Sequence, residues 1–115
     1  MRCAASLLVA AVVGACAPAP RMTMPRATAG IAIGTVTLGL SNVHVLFGSR
    51  VVLVDTGSPG EIGELEAGLR ELGVRLADVS CAVVTHVHSD HAAGARALQH
   101  RGIKVRAGQG DLLRA

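Results

Sequence analysis

The sequence predicts an α/β domain in which a β-meander leads into a β-α-β-α-β run. Three observations predict it. Short stretches rich in β-branched and apolar residues recur along the chain. Two segments between the later stretches carry helical spacing instead. Glycines punctuate nearly every junction, at Gly39, Gly48, Gly73 and Gly102.

In chain order, Ile31–Thr37 and Asn42–Phe47 read as the first two strands, with Gly39 bending the turn between them. Gly48-Ser49 makes a tight reversal, and residues 50–54 form a third strand. Pro59-Gly60-Glu61 opens a helix, with acid in the first turn where the macrodipole favours it. Ile62, Leu65, Leu69 and Leu72 make one apolar stripe for a sheet, and Gly73 ends the helix. Leu76-Ala77-Asp78 is a connection. Residues 81–84 form a fourth strand, apolar throughout and therefore expected to be buried on both faces. A second helix runs over 91–99 until Gly102, and residues 103–106 form a fifth strand. Right-handed crossovers are expected between the parallel strands. The sequence has no internal repeat.

Residues 1–16 read as an export signal: Arg2 supplies the charge, and the run from Ala4 to Ala15 is uncharged, too short to span a bilayer. Val13-Gly14-Ala15-Cys16 resembles a bacterial lipobox, in which Cys16 would carry lipid; ordinary signal cleavage just beyond is the competing reading. The protein is thus expected to be exported, either lipid-anchored in the cell envelope or in the periplasm. Residues 17–29, with Pro18, Pro20 and Pro25 and no apolar periodicity, read as a flexible linker, and residues 30–115 as the domain. Cys3 would leave with the signal, so Cys81 has no disulfide partner in the mature domain.

Eleven Lys and Arg against eight Asp and Glu give a formal net charge of +3, partly from the signal and linker. There is no basic block, and Phe47 is the sole aromatic residue. Nucleic-acid binding wants a basic stripe and stacking platforms, and this chain offers neither.

The chemistry concentrates in Thr85-His86-Val87-His88-Ser89-Asp90-His91, which holds three of the five histidines. Imidazole and carboxylate both ligate zinc. The run joins an apolar strand to a helix, where α/β sheets place their ligand sites. His86 and His88 are two apart, so on extended backbone both rings point to one side and can share an ion. Asp90 and His91 follow the turn, and a second, adjacent ion is their natural partner. Ser89 and Asp90 are also helix-capping types, and one of them is expected to cap. His44 and His100 lie away from the cluster and read as structural or solvated.

H-x-H-x-D-H after an apolar strand resembles the signature of the metallo-β-lactamase-fold metallohydrolases. Upstream, Ser41-Asn42-Val43-His44-Val45-Leu46 followed by Val51-Val52-Leu53-Val54-Asp55-Thr56-Gly57 resembles that family's early strands and D-T-G turn. The resemblance covers residues 29–115. It implies a four-layer αββα sandwich of two similar halves, of which this chain is the first. It implies two zinc ions in the complete protein, bound by His86, His88, Asp90 and His91. A third histidine for the first ion, a bridging aspartate and a last histidine for the second would come from the other half. Asp55 would lie beside the site and orient a ligating imidazole, its alternative being an Asx turn. Gly94 would permit close helix–sheet packing. The implied activity is zinc-dependent hydrolysis of an ester, lactone, lactam or related bond in a small-molecule substrate, with Asp90 orienting the attacking water. The rival readings are a non-catalytic metal-binding lipoprotein and an inactive fragment. Neither the substrate nor the oligomeric state is legible.

Overall fold

The computed structural model describes residues 21–28 and 30–112. The signal expected over 1–16 lies outside them. One six-stranded sheet holds β1 (Arg21–Thr28), β2 (Ile31–Thr37), β3 (Asn42–Phe47), β4 (Val51–Val54), β5 (Val79–Val84) and β6 (Lys104–Ala107). Each strand lies beside its neighbour in sequence. The pairs from β1 to β4 are antiparallel, whereas β4–β5 and β5–β6 are parallel. Parallel neighbours need a crossover. Helix α1 (Ile62–Glu71) supplies the first; α2 (Ser89–Ala92) and α3 (Ala95–His100) supply the second. A last helix, α4 (Gln109–Leu112), follows β6.

The leucine stripe of α1 works as its spacing implies. Leu65 and Leu69 are fully buried, and Ile62 and Leu72 pack against the same core. Leu98 of α3 joins them over Val36, Val43, Val45, Leu53 and Ala82. Helix and sheet approach closely at Gly68, where a Cβ would run into the Val36 side chain. Gly73 and Gly102 end α1 and α3 with positive φ of 77° and 81°.

No helix among the described residues covers the opposite face of the sheet. Ile33 and Val83 are each 39% exposed there, and Leu46, Val52, Val54 and Cys81 are only partly covered. Helices on one face and an open apolar face on the other make the first half of an αββα sandwich.

Three expectations are corrected. Within the flexible linker expected over 17–29, residues 21–28 instead form β1, which pairs with β2 from Arg21↔Thr37 to Thr28↔Ile31, while residues 17–20 and 29 lie outside the described residues. Backbone pairing along the β2 edge makes this strand, so side-chain periodicity did not announce it. Pro25 has no N–H to give, and the register shifts around it, between Thr23 and Arg26. Strand β5 is not buried on both faces: Val79, Ala82 and Val84 are buried, while Ser80 and Val83 are exposed. Apolar composition could not tell a doubly covered strand from one with an open face. The helix expected over 91–99 is two helices, broken around Gly94, whose N–H donates to the Gly57 carbonyl at 2.9 Å.

Candidate metal centre

The five predicted site residues, Asp55, His86, His88, Asp90 and His91, gather at one end of the sheet, where β4 and β5 finish. Asp55 follows the last residue of β4, and its N–H donates to the Val83 carbonyl at 2.8 Å. Its φ is +69°, a left-handed conformation uncommon outside glycine. That bend turns the carboxylate toward the segment after β5. Oδ1 accepts from the Thr85 N–H and from the Thr85 hydroxyl, both at 2.8 Å. Oδ2 lies 2.9 Å from His91 Nδ1. Asp55 is 5% exposed. Burial alone would raise its pKa. The Thr85 N–H, the His91 ring and the Thr85 hydroxyl outweigh burial and hold the carboxyl below its ordinary range.

The proton positions follow. Ionised Asp55 only accepts, so the proton between it and His91 sits on Nδ1, which makes Nε2 the ring atom whose lone pair the neutral imidazole offers to an ion. The single Thr85 hydroxyl proton goes to Asp55, so toward His86 Nδ1, 3.0 Å away, that oxygen accepts. His86 therefore also presents Nε2. One buried carboxylate thus sets the ring of His91 directly and that of His86 through Thr85. Ligating histidines are held in this way by the partners of their other nitrogen.

The rings converge. His86 and His88 have centroids 4.7 Å apart, and His86 and His91 4.3 Å. His91 Nε2 lies 3.3 Å from Asp90 Oδ2, so two donor atoms meet at one place. Among the described residues, no three His, Cys, Asp or Glu side chains are arranged to hold a single ion. The donor set suits zinc in type, imidazole nitrogen with carboxylate oxygen, and falls short of a closed site in number.

His88 stands at the N-cap of α2 without a side-chain cap bond. Neither Ser89 nor Asp90 caps the helix, contrary to expectation, because the turn begins one residue earlier; the Asp90 carboxylate stays free for the site. Gly94 also differs from expectation. It packs on the loop rather than on the sheet: a Cβ there would strike the Thr56 carbonyl oxygen and lie 3.2 Å from the Gly57 oxygen. His44 lies on the open sheet face with the Thr35 hydroxyl at 2.9 Å, and His100 closes α3.

Sequence reading missed three residues. Thr85 carries the relay described above. Thr56 holds the His91 carbonyl through its N–H and hydroxyl, at 2.8 and 2.9 Å. Glu61 ties the β2–β3 turn to the Asp55 loop, accepting from the Gly39 N–H at 3.0 Å and the Ser58 N–H at 2.7 Å. The sequence signal for Thr85 and Thr56 was adjacency to His86 and Asp55. Glu61 offered none beyond its place at a helix start.

Gly94→Ala is expected to force the Thr56–Gly57 loop away and displace Asp55. Overpacking of this kind costs about 1–3 kcal/mol. Denaturant unfolding should show that loss together with weakened metal binding; a neutral substitution would mean the loop yields freely.

Residues 36–114 match the family model of the Metallo-beta-lactamase superfamily. The chain is 38% identical over 64 residues to metallo-beta-lactamase domain-containing protein 1 of Xenopus laevis, covering 56% of this chain and 28% of that protein. In structure it is similar to BJP-1, a subclass B3 metallo-beta-lactamase of Bradyrhizobium japonicum. That match has a TM-score of 0.64 and 30% identity, covering 69% of this chain and 31% of that one. It is similar also to the Rm3 metallo-beta-lactamase, with a TM-score of 0.64 and 29% identity, covering 70% and 31%. The chain spans under a third of the length of each of these proteins.

Proposed function

The chain belongs to the metallo-β-lactamase superfamily, and from that premise we propose that its histidine cluster serves a zinc-dependent hydrolase acting on an ester, lactone, lactam or related bond. The observation that carries the reading is the His91 ring: Nδ1 is committed to buried Asp55, and Nε2 lies 3.3 Å from the Asp90 carboxylate. His86 and His88 would hold one ion, Asp90 and His91 a second. A catalytic zinc usually has three protein ligands and an open position. Each pair therefore needs at least one further donor, from a longer chain or from a second copy.

Zinc, when bound, supplies the Lewis acidity that makes a water nucleophilic near neutral pH and stabilises developing negative charge. The chain's own residues do the rest. Asp55 and Thr85 fix the two Nε2 atoms. Asp90 would hold its ion and orient the attacking water. The substrate would be a small molecule reached from outside the cell or within its envelope, with Cys16 the proposed lipid attachment.

The test is elemental analysis beside turnover. Once the missing donors are supplied, by a longer chain or a second copy, about two zinc ions and chelator-sensitive hydrolysis of ester, lactone or lactam probes are expected, whereas this chain alone should bind zinc weakly and not turn over. Metal without turnover under any assembly would favour a metal-binding lipoprotein; no transition metal after zinc is offered would end the reading.

Asp55→Asn isolates the orienting role. The asparagine oxygen can keep the Thr85 N–H, but its NH₂ would face the His91 Nδ1 proton. The ring must then change tautomer, which removes the Nε2 lone pair. A loss of about 10–100-fold in zinc affinity is expected, with circular dichroism unchanged. Acid stability gives a second readout. Because the folded Asp55 pKa is depressed, its contribution is present above the ordinary carboxylate pKa and lost as pH falls through the lower, folded value. The asparagine variant should lack that acid-side decline. An identical pH profile would refute the hydrogen-bond network.

A further inference from the structure

The end of the sheet that bears the metal cluster is also the end at which the chain enters from its N-terminus. Strand β1 begins at Arg21, which pairs with Thr37 at the close of β2. The next residues, Leu38 to Ser41, form the turn that Glu61 ties to the Asp55 loop through Gly39 and Ser58. β1 is three strand spacings from β4, about 14 Å. With β1 in place, only residues 17–20 separate Cys16 from the sheet. Five Cα steps reach at most about 17 Å. A lipid on Cys16 therefore cannot let this end move far from the bilayer. Leu40 stands at the tip of the adjoining turn, 82% exposed, the most exposed large apolar side chain among the residues whose burial is described. Cations stand at both ends, Arg21 opening β1 at this one and Arg50, Arg75 and Arg101 preceding β4, β5 and β6 at the other, so the tether and Leu40, not charge, choose the end.

We propose that the protein docks on a lipid bilayer by the metal-bearing end of its sheet, with the Leu38–Ser41 turn seated on the surface through Leu40. The site then opens onto the layer next to the membrane, and amphiphilic substrates collected there reach it first. The orientation rests on the export reading alone, whereas the substrate consequence rests also on the hydrolase reading.

The test uses the full chain expressed with its own signal in a Cys81→Ala background. The acylated protein is reconstituted into phosphatidylethanolamine–phosphatidylglycerol vesicles. A single fluorophore is placed by Leu40→Cys, or by Ser49→Cys in the exposed β3–β4 turn at the far end. Quenching by headgroup-labelled lipid should be severalfold stronger at position 40 than at 49. Equal quenching, or stronger quenching at 49, overturns the orientation while leaving the anchor standing. A wild-type chain that takes up no acyl label overturns both, and zinc content measured on the same sample reports on the hydrolase reading separately.

Discussion

His88→Ala and Asp90→Ala are each expected to reduce hydrolysis by far more than the 10–100-fold typical of an orienting residue, to about background. The two should differ in what metal remains. On the proposed division His88 shares an ion with His86, so its loss should empty mainly the first position. Asp90 Oδ2 meets His91 Nε2 at 3.3 Å, so its loss should weaken the second. Both side chains sit past the end of β5, outside the apolar core, and the fold should survive. Zinc stoichiometry, circular dichroism and turnover, measured together on the active assembly, separate the possibilities. Full activity in both variants would refute the catalytic assignment. Unfolding in both would make the metals structural. His86 complicates the division, since its ring is nearer to His91, at 4.3 Å, than to His88, at 4.7 Å. His86→Ala should accordingly disturb both positions.

Leu53→Ala is expected to have the largest effect on stability. Leu53 lies on β4, between the antiparallel β3 and the parallel β5, and is fully buried. Truncating such a leucine costs about 2–5 kcal/mol, against a total of about 5–15 kcal/mol for an ordinary domain. Leu40→Ala is the control: its side chain is 82% exposed, and the change should stay within about 0.5 kcal/mol. Urea midpoints for the two variants decide the matter. A shift of the same size in both would mean that the β4 core is not packed as described.

Much of this was legible along the chain. Ile31–Thr37 and Asn42–Phe47 have the bounds their composition indicates, and the α1 stripe buries the leucines its period selects. Such features are local: alternation, a 3.6-residue period and glycine's access to positive φ are properties of short segments. β1 was not legible, because its partner is a strand edge that no residue in 21–28 encodes. Nor was the break around Gly94, whose N–H is diverted to a carbonyl 37 residues away in sequence.

By itself the sequence determined the α/β class, strands β2 to β6, helix α1, the family and the identity of the four candidate ligands, since each of these is carried by residue type at short spacing. Only the tertiary structure decided how those ligands are held. Asp55 and His91 are 36 residues apart and meet through a left-handed turn. Thr85 hands the same carboxylate's orientation on to His86. Glu61 bolts a distant turn to the site's loop. Hydrogen bonds between remote segments exist only once the chain has closed on itself, and no pattern along it announces them.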